Sequence, residues 1–134
     1  MRQGIQTNFP HEKLQAEGCY FFCIMEWASR LLNRDFTNEQ IIYLYDLALE
    51  KGYIRRDCTI LFGAELLNLA IMENRFKTCR PVWSQPELPI YVTYVVKPKY
   101  GHFLLTSGND TWDPLDPARP AAKEYRPESY RVII

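Results

Sequence analysis

The chain predicts an α+β fold, a helical N-terminal half with a buried central helix packed on a C-terminal antiparallel sheet. Three observations lead there: an apolar run after Gly18, two helical periodicities before residue 75, and a β-rich, proline-punctuated texture beyond Cys79. At 134 residues, the whole chain, 1–134, reads as one domain. A chain near this size buries about 68–70% of the surface exposed when unfolded.

Each element follows from its residues. The run CYFFCIMEWASRLL from Cys19 leaves little polar face, so it reads as a central, buried helix with Cys19 in its first turn. Thr37 with Gln40 three residues on is a capping box, and the apolar spacing from Ile41 to Leu49 continues as a helix to Gly52. Ile60, Leu61, Ala64, Leu67 and Ile71 recur at intervals of three and four, which predicts a third helix over roughly Thr59 to Asn74. Residues Ile90 to Val96 and His102 to Thr106 read as two antiparallel strands joined by a turn at Pro98 to Gly101. Thr111 to Asp113 returns as a short strand after Ser107-Gly108-Asn109-Asp110, and Tyr130 to Ile134 closes the sheet. The Pro-rich stretch from Asp113 to Pro127 reads as a mobile loop.

Composition excludes several function classes. Sixteen basic residues balance sixteen acidic ones and are scattered along the chain, so the electrostatic footprint of a nucleic-acid binder is missing. No apolar stretch suits a secretory signal or a membrane span, which predicts a cytoplasmic protein whose four cysteines are free thiols. Oligomeric state is not readable from the chain.

The chemistry-bearing residues are few. Only His11 and His102 supply imidazoles, and the order Cys19, His102, Asp113 is that of a nucleophile, its base and the group that orients the base. A helix first turn and a neighbouring imidazolium are two influences that turn a thiol into a thiolate. The Cys19 N–H, in that same turn, and the amide of Gln15 one turn upstream are candidate donors to an oxyanion.

Strand geometry relates His102 to Asp113. With Gly108-Asn109 as a two-residue turn, Ser107 faces Asp110, Leu105 faces Trp112 and Leu104 faces Asp113. His102 and Asp113 then share a face on a diagonal of roughly 7–8 Å, and Phe103, Leu105 and Trp112 form the opposite, apolar face. A three-residue turn would place Asp113 on the wrong face.

A Cys opening a buried helix with a Gln ahead of it, middle helices, a strand beginning His-Phe-Leu-Leu and a following Asp-Pro together resemble the papain-like cysteine peptidase superfamily. The nearest likeness is to its small bacterial branch of bacteriocin leader-processing peptidases. The resemblance implies Cys19 as nucleophile, His102 as base, Asp113 as orienter and Gln15 as oxyanion donor. It also implies attack on an amide, isopeptide or thioester carbonyl, with a peptide, a peptidoglycan stem peptide or a protein as substrate and no cofactor. Members usually carry the Gln farther upstream of the Cys and follow the Cys with a small residue, where this chain has Tyr20.

Blander readings stand beside these. Cys19 alone reads as a buried structural thiol, and the same fold then serves as a catalytically silent binding or regulatory module. Exposed aromatics serving a partner surface are a third reading. Cys23, one turn after Cys19, reads as core, resolving thiol or metal ligand, whereas Cys58 and Cys79 lack such company. His11 reads as a solvated loop residue or a lining of the cleft, and Asp116 as a reserve orienter. Trp83, Trp112, Tyr91 and Tyr94 read as sheet core or rim, and Glu12, Glu17 and Glu26 as helix-flanking charges.

Overall fold

A computed structural model describes residues 1–115 and 124–134. The chain order is α1 (Glu12–Glu17), α2 (Cys19–Leu32), α3 (Asn38–Lys51), α4 (Gly63–Ile71), then β1 (Cys79–Val82), β2 (Ile90–Lys97), β3 (Tyr100–Ser107), β4 (Asp110–Trp112) and β5 (Arg126–Ile133). The α+β class and the helices-then-sheet arrangement are as expected from the sequence.

Helix α2 is the axis of the core. Phe21, Phe22, Ile24 and Met25 are 0% exposed, and burying each such side chain contributes about 1.5–3 kcal/mol. Asn33 ends the helix in the left-handed conformation at φ 52°, its N–H returning to the Arg30 and Ser29 carbonyls. Glu26 departs from the flanking charge expected of it. It is buried within α2, where its carboxylate meets Arg30 Nε at 3.1 Å and the amino group of Met1.

The capping box at Thr37 and Gln40 is present and opens α3, which closes at Gly52 with φ 76°. Helix α4 is shorter than the periodicity predicts. Ile54 and Ile60 form an isolated antiparallel bridge, and the Leu61 and Phe62 N–H groups donate to the Tyr53 carbonyl, so these apolar residues are drawn out of the helix. At the far end Met72 adopts φ 58°, and the Asn68 side chain accepts from Arg75 and Phe76. The unforeseen α1 has one buried residue, Leu14, hence no apolar stripe to reveal it. Its cap corrects the reading of His11: Nδ1 accepts the Leu14 N–H at 3.2 Å and the ring packs edge-on against Tyr45.

The sheet order is β1-β5-β2-β3-β4, all antiparallel. Strand β1 was hidden by Pro81, which an edge strand tolerates because one side of it needs no ladder donor. β5 begins four residues earlier than expected, and β3 begins at Tyr100, which places His102 third in its strand. The β3–β4 hairpin has the expected register, Ser107 opposite Asp110 and Leu105 opposite Trp112, with Gly108 at φ 60° in the turn. Leu105, Trp112 and Val92 join the side chains of α2 in one core. Tyr91 and Trp112 are buried, whereas Trp83 is 74% exposed. Asp116 and the middle of the Pro-rich stretch lie outside the described residues; at its ends, Asp113 is buried and Arg126 is already in β5. Among the described residues no helix is long and apolar enough to cross a membrane.

Candidate active site

Cys19 is the first residue of α2 and half-buried, with Gly18 as the preceding cap. Gly18 is required by a close approach: a Cβ there would stand 2.6 Å from the Leu14 carbonyl oxygen, backbone that cannot swing aside. Gly18→Ala is therefore expected to displace the start of α2. The measurable result is slower labelling of Cys19 by a thiol reagent, with the far-UV circular dichroism of the helices retained.

His102 and Asp113 are brought together from neighbouring strands. His102 Nε2 and Asp113 Oδ1 lie 2.6 Å apart, with the residues 3% and 8% exposed. The carboxylate is itself held: Asp113 Oδ1 accepts the Leu115 N–H at 2.9 Å, and the Asp113 N–H donates to Gln3 Oε1. The Gly4 and Gln6 N–H groups donate to the Asp113 and Pro114 carbonyls, tying the N-terminal segment to the site. With Nε2 engaged, Nδ1 is the nitrogen left to face the thiol of Cys19, which is among the groups that act on the imidazole.

Electrostatics follow from those contacts. Burial by itself would lower the His102 pKa, but hydrogen bonding to Asp113 and the influence of Cys19, with the charges behind them, outweigh it and raise the imidazole to about 9. The ring also has an aromatic neighbour, Tyr125, at 5.9 Å between centroids. Cys23 is fully buried, and burial pushes its thiol well up, as befits a core residue. Among the described residues no group of three His, Cys, Asp or Glu side chains is arranged to hold a metal ion.

Gln15 does not join this cluster. Its side chain is exposed on α1 and its Nε2 donates to the Thr7 carbonyl at 2.9 Å. The glutamine buried against the backbone of α1 is Gln6. It is 2% exposed, and its Nε2 donates at 3.1 Å to the Gln15 carbonyl, the acceptor that a continuous helix would offer to the Cys19 N–H. Among the described residues Gln6 Oε1 is buried without a partner. Nothing local in the sequence marks Gln6, since the loop from Met1 to Pro10 has no regular period.

Beside Cys19 lies a cavity of about 310 Å³ walled by Tyr20, Phe103, Cys58 and Arg131. Tyr20 does not block it. Its ring is stacked on Phe103 at 4.5 Å, and its hydroxyl meets Cys79 Sγ at 3.5 Å.

A family model described as "Protein of unknown function, DUF261" matches residues 3–134. The chain belongs to the DUF261 family. No curated protein and no solved structure matches it. For this DUF261 member, the site geometry is thus the guide to chemistry, and the match spans every element that builds the site, from Gln3 through β5.

Proposed function

We propose that the protein is a cysteine peptidase or amidase of papain-like type that attacks an amide, isopeptide or related acyl carbonyl through Cys19. The observation that carries this reading is the buried His102–Asp113 pair at 2.6 Å, on whose imidazole Cys19, the first residue of α2, also acts. A thiol, an imidazole and a carboxylate in series are the parts of an activated nucleophile.

In the proposed reaction, His102 takes the thiol proton on Nδ1 and Asp113 holds Nε2–H, fixing the ring and stabilising its charge. The Cys19 sulfur forms a bond to the carbonyl carbon. As the tetrahedral intermediate collapses, the carbon–nitrogen bond breaks and His102 returns the proton to the leaving amine. Water or a second amine then cleaves the thioester and restores the thiol. The Cys19 N–H at the start of α2, where a helix offers no internal acceptor, and the Gln6 amide beside it are the donors proposed for the oxyanion. Gln6 takes the role that the resemblance implied for Gln15.

An activated ester tests the acyl chemistry without knowledge of the substrate. Incubation with p-nitrophenyl acetate is expected to release a burst of p-nitrophenol and leave an acetyl group on Cys19, located by mass spectrometry. Cys19→Ala and His102→Ala are expected to lose the burst. Acetylation spread over the four cysteines, or a burst unchanged in His102→Ala, would defeat the proposal.

A further inference from the structure

We infer that the cavity beside Cys19 takes a substrate bearing a free carboxylate, with Arg131 as its anchor; this rests on the acyl-transfer reading of Cys19. The argument concerns which charge in the cavity is left unanswered. Arg131 lies on its wall, the guanidinium 5.6 Å from the Phe103 ring centre and 5.8 Å from that of Tyr94. Its Nη1 donates to Ser129 Oγ at 2.9 Å and to the Tyr130 carbonyl at 3.4 Å. Those contacts fix the plane of the guanidinium while neutralising none of its charge. Among the described residues no carboxylate lies within ion-pair distance of it.

The two acids on the cavity wall are otherwise engaged. Glu17 pairs with Lys13 Nζ at 3.0 Å. Asp57 accepts the Thr59 N–H at 3.0 Å, and that contact, aided by the positive charge of Arg55, holds its carboxyl below the usual range. Among the described residues lining the cavity, Arg131 is the cation left to answer an incoming anion, and guanidinium is the side chain whose fork matches a carboxylate.

Position ties this cation to the nucleophile. Cys19 and Arg131 line the same cavity, and its aromatic floor, Tyr20 stacked on Phe103, lies under the guanidinium. At about 310 Å³ the cavity is at the small end of the roughly 300–1,000 Å³ range of small-ligand sites. The attacked carbonyl and the carboxylate therefore belong to one small compound or to a few adjacent residues of a peptide. The carboxylate is either a chain terminus or an acidic side chain.

Alkylation of Cys19 by iodoacetate and by iodoacetamide tests the anchor, because the two reagents are close in size and differ in charge. The readout is the ratio of their rates at Cys19. It is expected to fall about tenfold in Arg131→Gln, the loss of one charge-assisted hydrogen-bonded contact, and to recover in part in Arg131→Lys. A ratio unchanged in both variants, while iodoacetamide labelling still depends on His102, overturns the anchor and leaves the nucleophile standing. Labelling by both reagents that ignores His102→Ala overturns the nucleophile, and this inference with it. Protection of Cys19 at millimolar concentration separates the two carboxylate sources. N-acetylalanine protecting alone assigns a terminal carboxylate, and the amide of N-acetylaspartate, free only at its side chain, protecting alone assigns an acidic residue. Equal protection by the uncharged amide of N-acetylalanine counts against the anchor.

Discussion

Alkylation of Cys19 by iodoacetamide near neutral pH is expected to slow roughly a hundredfold when His102 is replaced by Ala, the lower end of what a positioned acid–base group supplies. The thiolate is the reacting form, and in the proposed couple His102 is the group that takes the proton. With the imidazole raised to about 9, largely through Asp113 and Cys19 against the opposing effect of burial, the protonated ring persists through neutral pH. The other cysteines are internal references. Burial pushes Cys23 well up and Cys58 up to about 11, so both should stay slow in either protein. Cys79, half-buried on β1, should react at one rate in wild type and variant. Site-resolved mass spectrometry against pH reads all four thiols together. Equal Cys19 rates in the two proteins would remove the case for a Cys–His couple.

Asp113→Ala should cost about 3–5 kcal/mol of folding stability, the usual penalty for removing one partner of a buried charged pair. It should also alter how stability depends on pH. An unfolded His titrates near 6.5, and His102 in the folded chain titrates at about 9. A raised value means the folded state binds the proton more tightly. The contribution is therefore complete below about pH 6.5 and is lost as pH rises through about 9. Cys58 and Tyr45, which burial raises to about 11 and about 12, titrate above that window. Urea midpoints on the two sides of the window should show wild type losing stability at the alkaline side. Without Asp113 the His102 part of the slope should vanish, leaving that of the Met1 amino group, which burial would lower but its pairing with Asp35 and Glu26 raises. A variant as pH-dependent as wild type would mean that the 2.6 Å contact does not set the imidazole's charge.

The Gly18 substitution bears on the same chemistry through position. Cys19 opens α2 because α1 ends and α2 begins within one residue, and only a glycine lets the Leu14 carbonyl come that close.

Sequence by itself determined those elements whose cause is local. The apolar run from Tyr20 to Ala28 can only be a buried helix, the Thr37–Gln40 box starts α3, and Gly108 in the turn sets the β3–β4 register that puts Asp113 within reach of His102. Helix α1 and strand β1 escaped because one buried leucine and a proline-containing edge strand carry no periodic signal. Tertiary structure alone decided the rest. It drew Ile60 to Phe62 out of α4 to meet Ile54 and Tyr53, and it turned Gln15 to Thr7 while burying Gln6 against the Gln15 carbonyl of α1. It also set Arg131, a residue of the last strand, over Phe103 of β3, two strands away. The physical reason is range: propensity, capping and turn chemistry act over a few residues. The Gln6 amide meets the Gln15 carbonyl across an irregular stretch of chain, and the Arg131 guanidinium meets aromatic rings of two other strands, so these partners are chosen by packing between segments and no local pattern encodes them.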